Sequence, residues 1–230
     1  MKSLILAAGR GTRAMPLTEN VPKSLIAVGK KPFLWNIITN LQLAGADEIG
    51  IVVGYKKEKI KDFIFKEGFK NITLIEQGEQ KGTASAVICA KKFVGDENFL
   101  VVMGDNLYSP ADLKELAGMK EPCIAAAESE TPEEYGVVVH ENFVLKEIIE
   151  KPAAAPTNLI NAGAYVLTPK IFPAIEKIKI SARGELELTD AINLLAKEEK
   201  IKVLPLKGYW FDFGTIEDIM KIEEKMEELK

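Results

Sequence analysis

The chain has 230 residues, of which 47% are hydrophobic and 28% are charged. These proportions are typical of a globular protein and exclude a disordered chain. The 30 Lys and Arg residues against 34 Asp and Glu leave a net charge of −4, which argues against nucleic acid as the main partner. The apolar runs are too short for a signal-peptide core or a membrane span, so we expect a cytoplasmic protein without a membrane partner.

Apolar runs of strand length alternate with helical patterns through the first half of the chain, which predicts parallel strands joined by crossover helices. The long stretch 9–32, interrupted by Pro16 and Pro22, is predicted to be one loop. The predicted elements are strand 3–8, helix 33–44, strand 49–53, helix 57–65, strand 72–76, helix 83–92 and strand 99–103.

The second half is more mixed, with short strands and little helix between them. Thr215 followed by Asp218 is a capping-box arrangement at the start of an amphipathic closing helix. We therefore expect an α/β fold over residues 1–230, Rossmann-like, with a mixed, mostly parallel sheet flanked by helices. The predicted elements are strands 123–127, 137–139, 144–149 and 162–167, helices 171–177 and 189–200, strand 202–206 and helix 217–229.

A glycine-rich loop follows the first strand. Gly9 and Gly11 allow backbone conformations in which N–H groups face a triphosphate, and Arg13 can add guanidinium donors. The pattern Gly9-x-Gly11-x-x-Ala14 also matches a dinucleotide-binding fingerprint, but that motif needs a helix to begin within it. The prolines oppose such a helix, and no Gly-x4-Gly-Lys-Ser/Thr phosphate loop is present.

The segment Leu6-Ala-Ala-Gly-x-Gly-Thr-Arg-x-x-Pro-Leu-Thr-x-x-x-Pro-Lys-Ser-Leu resembles the signature of sugar-1-phosphate nucleotidyltransferases, the nucleoside-diphosphate-sugar pyrophosphorylases. Further stretches, running to about residue 215, resemble motifs of this family in the same order. They are Gln77-x4-Gly82-Thr83-Ala84-x-Ala86, Gly104-Asp105, Glu134-Tyr135-Gly136-Val137-Val138, Glu150-Lys151-Pro152, Asn161-Ala162-Gly163, Gly184-Glu185-x4-Thr189-Asp190 and Trp210-Phe211-Asp212-Phe213-Gly214-Thr215.

The resemblance implies a single nucleotidyltransferase domain, with a nucleotide-binding half at about 1–110 and a sugar-binding half at about 111–230. It implies that the nucleoside triphosphate is bound by Leu6, Ala8, Gly9, Gly11, Thr12, Arg13, Lys23, Gln77, Gly82, Thr83 and Asp105. It implies that the sugar 1-phosphate is bound by Tyr135, Gly136, Glu150, Lys151 and Asn161. The implied catalytic residues are Arg13, Lys23, Asp105 and Asp212.

The implied reaction is in-line attack of a sugar-phosphate oxygen on the α-phosphorus of the nucleotide, with release of pyrophosphate. Both substrates are anions, so Mg²⁺ held by Asp105 and Asp212 is the expected cofactor. Asp105 follows a strand and is expected at the carboxyl edge of the sheet. A helix-capping role is less suited to it, since Ser109 precedes Pro110 and can cap the next helix. Thr215 can likewise cap the closing helix, which leaves Asp212 available as a metal ligand.

Several alternatives stay open. Three other proteins share this scaffold: a cytidylyltransferase for a phosphorylated alcohol, a mannose-1-phosphate guanylyltransferase and a regulatory nucleotide-sugar-binding relative. A glycosyltransferase of related fold would carry an Asp-x-Asp motif, but this chain has Asp105-Asn106-Leu107 at that place. Gly82-Thr83-Ala84 favours uridylyl or guanylyl transfer, and Gly104-Asp105-Asn106 resembles thymidylyltransferases. UTP or dTTP with glucose 1-phosphate or an N-acetylhexosamine 1-phosphate is favoured. No β-helix or acetyltransferase activity is expected, and a homo-oligomer stays open.

Overall fold

Strands and helices alternate through the computed structural model, which describes residues 1–79 and 81–228. In chain order the strands are β1 (Ser3–Ala7), β2 (Ala27–Val28), β3 (Lys31–Pro32), β4 (Ile49–Val53), β5 (Ile72–Glu76), β6 (Phe99–Met103), β7 (Asn106–Tyr108), β8 (Cys123–Glu128), β9 (Gly136–Glu141), β10 (Val144–Glu150), β11 (Leu159–Leu167), β12 (Lys202–Pro205) and β13 (Trp210–Asp212). The α-helices are α1 (Phe33–Leu43), α2 (Lys57–Glu67), α3 (Thr83–Cys89), α4 (Lys91–Val94), α5 (Pro110–Ala117), α6 (Ile171–Lys177), α7 (Leu188–Leu195) and α8 (Ile216–Glu228).

Within the described part of the chain, a nine-stranded mixed sheet runs through the fold in the order β5-β4-β1-β6-β11-β8-β12-β10-β9. Strands β5, β4, β1 and β6 are parallel, as is the pair β8–β12. Strand β11 is antiparallel to β6 and β8, and β10 is antiparallel to β12 and β9. The expected mixed α/β sheet is confirmed, although antiparallel pairs are more prominent in the second half than we expected.

The sheet is covered on both faces, and the alternation of side chains along β1 shows how. Leu4 and Leu6 join the apolar cluster under α3, α6 and α7, whereas Ile5 and Ala7 join the cluster that includes residues of α1 and α5. Successive side chains of a strand point to opposite faces, so a strand buried on both sides reads as an unbroken apolar run. Each fully buried Leu or Ile contributes about 2 kcal/mol through apolar burial.

The boundaries of several helices differ from the sequence prediction. The helix predicted at 83–92 is divided at Ala90 into α3 and α4. The closing helix begins after Thr215, whose backbone N–H donates to Asp218 Oδ2 at 2.6 Å, which confirms the predicted capping pair. Residue 229 of the predicted helix lies outside the described residues. No described helix combines the length and apolar content that a bilayer crossing requires.

The stretch 9–32 is more ordered than the predicted loop. It contains two 3-10 turns, Thr12–Ala14 and Lys23–Leu25, and the short antiparallel pair β2–β3. Periodicity could not reveal these elements because each has only two or three residues. The same limit hid β7 and β13, which form a separate antiparallel pair beside the main sheet.

Candidate active site

The loops that follow β1, β5 and β6 surround a cavity of about 470 Å³ at the carboxyl edge of the parallel strands. This edge is where α/β sheets bind ligands. All the residues predicted for the nucleotide side line this cavity, namely Leu6, Ala8, Gly9, Gly11, Thr12, Arg13, Lys23, Gln77, Gly82, Thr83 and Asp105. The tertiary structure therefore brings together residues spread over a hundred positions of sequence.

The glycine loop packs closely against Lys23. Gly11 has a φ of 64°, and a methyl group added there would lie 2.8 Å from Lys23 Cβ. Thr18 Oγ1 donates a hydrogen bond to the Gly11 carbonyl at 2.8 Å, which folds the far part of the loop back over the turn. A residue with a side chain at Gly11 would thus be strained in its backbone and would displace Lys23.

Lys23 is a buried cation aimed at the cavity. Its side chain is only 10% exposed, and Nζ lies 2.9 Å from Asp105 Oδ2. The ammonium group also lies 5.0 Å from the ring centroid of Phe213. The ammonium group of a lysine is normally solvated at the protein surface. Burying it is unfavourable unless a negative charge lies beside it, and Asp105 provides that charge here.

Asp105 and Asp212 come together because β7 pairs with β13. Asp212 stands opposite Asn106 in this pair, and Asn106 Nδ2 donates to Asp212 Oδ1 at 3.1 Å. The backbone N–H of Phe213 donates to the Asp105 carbonyl at 2.8 Å. Asp105, in the turn between β6 and β7, and Asp212, at the end of β13, are thereby held close together although they are more than a hundred positions apart in sequence.

Burial and neighbouring charge make this pair of carboxylates unfavourable without a cation. Burial, together with the negative charge of Asp105, raises the pKa of Asp212 to about 6, although the nearby cations Lys23 and Arg13 act in the opposite direction. A divalent cation between the two carboxylates would offset both effects. Protein Mg²⁺ sites commonly use one or two carboxylates and complete their ligands with substrate phosphates, so the two aspartates fit this metal.

A second cavity, of about 530 Å³, adjoins the first and is lined by Asp212. All the residues predicted for the sugar side line it, namely Tyr135, Gly136, Glu150, Lys151 and Asn161. Arg13 and Thr83 line both cavities, while Asp105 faces the first and Asp212 the second. The two cavities therefore adjoin at shared residues such as Arg13, with one aspartate in the lining of each.

Hydrogen bonds and close packing orient the polar groups of the second cavity. Asn161 Nδ2 donates to the hydroxyl of Tyr165 at 2.7 Å, and Asn161 Oδ1 accepts from the backbone of Gly163 at 3.2 Å. Gly136 is paired with Glu150 across β9 and β10, and a methyl group on it would lie 3.1 Å from Glu150 Oε2. Glycine at this position leaves room beside the carboxylate for a ligand.

The loop after β5 is tied to the segment that precedes α7. Gln77 Nε2 donates to the Gly82 carbonyl at 3.2 Å, which orients the amide within the first cavity. Gly82 has a φ of 102°, and a methyl group there would lie 2.6 Å from the Leu186 carbonyl oxygen. The backbone N–H of Leu188 donates to Thr83 Oγ1 at 2.9 Å. Gln77 and Gly82 line the first cavity and Leu188 lines the second, so these hydrogen bonds, through Thr83, connect the walls of the two cavities.

The sequence profile described as nucleotidyl transferase matches residues 2–228 of this chain. The chain belongs to the nucleotidyl transferase family. UTP–glucose-1-phosphate uridylyltransferase AglF of Haloferax volcanii is a similar family member, 35% identical, with the match covering 99% of this chain and 97% of AglF. Bifunctional protein GlmU of Methanocaldococcus jannaschii is 48% identical, over 96% of this chain and 53% of that protein. The chain spans about half the length of GlmU.

Solved structures agree with the fold of this nucleotidyl transferase family chain. UDP-glucose pyrophosphorylase complexed with UDP-glucose is similar with a TM-score of 0.90 and 28% identity, over 100% of this chain and 99% of that one. A glucose-1-phosphate thymidylyltransferase described as putative, from Bacillus anthracis, has a TM-score of 0.86 and 29% identity, over 98% and 94%. The central sheet and its flanking helices are therefore an arrangement that known members share.

Two charged residues of the second cavity were missed by the sequence analysis. Arg183 Nη1 lies 3.2 Å from Glu150 Oε1, and Arg183 Nη2 lies 3.0 Å from Glu187 Oε2. Glu187 is buried and also accepts a hydrogen bond from Ser181 Oγ at 3.0 Å. Arg183 directly precedes the Gly184-Glu185 motif, and this position next to a motif was the signal in the sequence that could have identified it as a site residue. These contacts connect a buried carboxylate to Glu150 through one guanidinium group.

Proposed function

We propose that this nucleotidyl transferase joins a nucleoside triphosphate, UTP or dTTP, to a sugar 1-phosphate and releases pyrophosphate. The observation that carries the proposal is that two adjoining cavities, one lined by Asp105 and the other by Asp212, share Arg13. A condensation of two anionic substrates requires such adjacent sites with cations at their junction. The similarity to AglF, a UTP–glucose-1-phosphate uridylyltransferase, and to a UDP-glucose pyrophosphorylase bound to UDP-glucose supports a uridine nucleotide and a glucose phosphate.

The nucleotide occupies the first cavity in this proposal. The backbone N–H groups of the loop from Gly9 to Thr12 face its phosphates, since a glycine-rich turn concentrates such donors at a sheet edge. Gln77 binds the base through its amide, and Gly82 allows the base to approach the backbone. Leu6 and Ala8, at the end of β1, form the floor of this cavity.

The sugar 1-phosphate occupies the second cavity. Glu150 and Asn161 bind sugar hydroxyl groups, because a carboxylate and an amide can each accept from or bridge neighbouring hydroxyls. Lys151 lines the same cavity and neutralises the phosphate of the sugar. Tyr135 packs against Trp210, with 6.1 Å between the ring centroids, and the two rings form an apolar wall for the sugar.

Asp105 and Asp212 would hold Mg²⁺, which when bound supplies positive charge to the phosphate oxygens. An oxygen of the sugar phosphate attacks the α-phosphorus, a new phosphorus–oxygen bond forms, and the bond from the α-phosphorus to the bridging oxygen of pyrophosphate breaks. The electron pair leaves with pyrophosphate. Arg13 and Lys23 neutralise charge on the triphosphate and on this leaving group. No general base is needed, since the attacking phosphate is already ionised.

The proposal is tested by measuring pyrophosphate release from purified protein with each of five nucleoside triphosphates and several phosphorylated acceptors. The acceptors are glucose 1-phosphate, N-acetylglucosamine 1-phosphate, mannose 1-phosphate and phosphocholine. We expect magnesium-dependent release with UTP or dTTP and a hexose 1-phosphate. Turnover confined to CTP with phosphocholine, or to GTP with mannose 1-phosphate, would identify one of the alternative transferases. Binding of nucleoside-diphosphate sugars without any turnover would instead support a regulatory protein.

A further inference from the structure

Arg10 is an additional cation at the nucleotide cavity that the family motif leaves unspecified. It lies between Gly9 and Gly11 and lines the cavity of about 470 Å³. Its side chain is exposed, and its guanidinium carbon lies 5.4 Å from the ring centroid of Tyr55. Among the described residues, Arg10 has no carboxylate partner. The guanidinium N–H groups are thus available to an anionic ligand.

Tyr55 is held firmly enough to act as a platform for Arg10. Its backbone N–H donates to the Ala8 carbonyl at 3.1 Å, at the start of the glycine loop. Its hydroxyl donates to the Glu19 carbonyl at 2.6 Å, on the far side of the same loop. The face of a tyrosine ring attracts a guanidinium group and leaves the edge donors of that group free. Arg10 is therefore held at the mouth of the cavity.

The position of this platform indicates which part of the nucleotide Arg10 contacts. The reacting end of the cavity is occupied by Lys23 and Asp105, and the base end by Gln77. Tyr55 is bound instead to Glu19, in the part of the loop that Thr18 folds back over the glycine turn. A ligand group beside Arg10 lies next to this folded loop, where the outer phosphates of a triphosphate would extend.

We propose that Arg10, supported by the ring of Tyr55, binds the two outer phosphates of the nucleotide, and binds pyrophosphate in the reverse reaction. The inference rests on the proposed function and adds a specific binding residue to it. A guanidinium group matches phosphate oxygens with paired N–H donors. A nucleoside-diphosphate sugar has no outer phosphates, so Arg10 contributes to the binding of triphosphate and pyrophosphate but leaves the binding of the nucleotide sugar unchanged.

The reverse reaction provides the test, because pyrophosphate and the nucleotide sugar are varied separately. We expect Arg10→Ala to raise the KM for pyrophosphate about tenfold, the size typical of a lost charge-assisted hydrogen bond. The KM for the nucleotide sugar should stay within about twofold of wild type, well below that tenfold change. Equal rises in both KM values, or an unchanged KM for pyrophosphate, would overturn the proposal.

Lys56 offers a matched control, since its Nζ lies 5.6 Å from the same ring centroid but does not line the cavity. Lys56→Met removes the same charge from the rim and should leave both KM values unchanged. Tyr55→Leu removes the ring and should raise the KM for pyrophosphate, whereas Tyr55→Phe keeps the ring, loses only the hydroxyl bond to Glu19 and should raise this KM less. An effect of Lys56→Met as large as that of Arg10→Ala would show that only the general charge of the rim matters.

Titration calorimetry with magnesium pyrophosphate separates this inference from the proposed function. Wild-type protein should bind pyrophosphate about tenfold more tightly than Arg10→Ala, whether or not turnover is observed. If no nucleotide sugar is consumed but this difference persists, the proposed function fails and the role of Arg10 stands. If wild type binds no pyrophosphate, or if both proteins bind it equally, the role of Arg10 is refuted. Thermal melting of each variant establishes that it is folded.

Discussion

Asp212 stands opposite Asn106 in a pair of three-residue strands, and the Asn106 amide donates to its carboxylate at 3.1 Å. This contact joins a segment near the C-terminal end of the described residues to the residue after Asp105. It places the carboxylate of Asp212 in the lining of the second cavity, while Asp105 lines the first. The arrangement is costly for folding, since burial and a neighbouring negative charge both oppose ionisation of Asp212.

Replacing this buried carboxylate by an amide should stabilise the metal-free protein. The pKa of Asp212 is about 6 in the folded chain, above the ordinary value of 3.8. A raised folded pKa means that stability falls as pH rises from about 4 to 6 and remains lower above that range. Asp212→Asn removes this penalty, so we expect a gain of about 1 to 2 kcal/mol at pH 7.5 in EDTA.

The pH dependence distinguishes this explanation from a general packing effect. At pH 4 the carboxyl of wild type is protonated, and the difference between the two proteins should largely disappear. Denaturant unfolding of both proteins at both pH values, in EDTA, measures this difference in the free energy of unfolding. A gain of equal size at pH 4 and pH 7.5, or a loss of stability at pH 7.5, would contradict the electrostatic interpretation. The same variant should also lose transferase activity if Asp212 holds the metal.

Removing the other carboxylate tests the proposed metal site directly. Asp105→Asn keeps the shape of the side chain but removes the charge that pairs with Lys23 and would bind Mg²⁺. We expect turnover to fall by about 100-fold or more, which is typical for loss of a group that stabilises transition-state charge. Asp62→Asn, at an exposed position on α2, is the control. Near wild-type turnover of Asp105→Asn, measured by pyrophosphate release, would exclude this aspartate from the metal site.

The contacts around Arg183 predict a separate effect on the sugar side. Glu187→Gln weakens the ion pair that holds Arg183 beside Glu150, so Glu150, which we propose binds the sugar, loses its support. We expect the KM for the sugar 1-phosphate to rise by about 3- to 10-fold, as for a lost charge-assisted contact, while the KM for the nucleotide is unchanged. Glu176→Gln, at an exposed position on α6, is the control. A parallel rise in the KM for the nucleotide would indicate general disruption instead.

A side chain at position 82 is expected to destabilise the protein for two reasons, backbone strain and a clash with Leu186, and comparison with a second glycine distinguishes them. Its φ is 102°, and a methyl group would lie 2.6 Å from the Leu186 carbonyl, whereas Gly68 has a φ of 70° and open space around it. Gly68→Ala should therefore cost only about 1 kcal/mol from backbone strain, and Gly82→Ala about 2 to 4 kcal/mol. Denaturant unfolding of both variants checks this. Equal losses would mean that the contact with Leu186 is easily relieved.

Much of the fold could be predicted because local patterns agree with it. The unbroken apolar run of β1 indicated a strand buried on both faces, and the helix caps at Ser109 and Thr215 are as predicted, with Ser109 Oγ accepting from Asp112 N at 3.1 Å. The division of helix 83–92 at Ala90 could not be predicted. The break lies at a buried alanine with φ −87° and ψ 0°, and no glycine or proline marks it in the sequence.

The amino-acid sequence by itself determined the α/β class, the glycine loop and which residue types could bind anions and a metal. These properties are local, since backbone preferences and apolar periodicity act over a few neighbouring residues. Only the tertiary structure decided that Lys23 is buried against Asp105, that Arg183 reaches Glu150, and that β7 pairs with β13. Such contacts join residues far apart in sequence, and preferences that act over a few neighbouring residues cannot decide which of them meet.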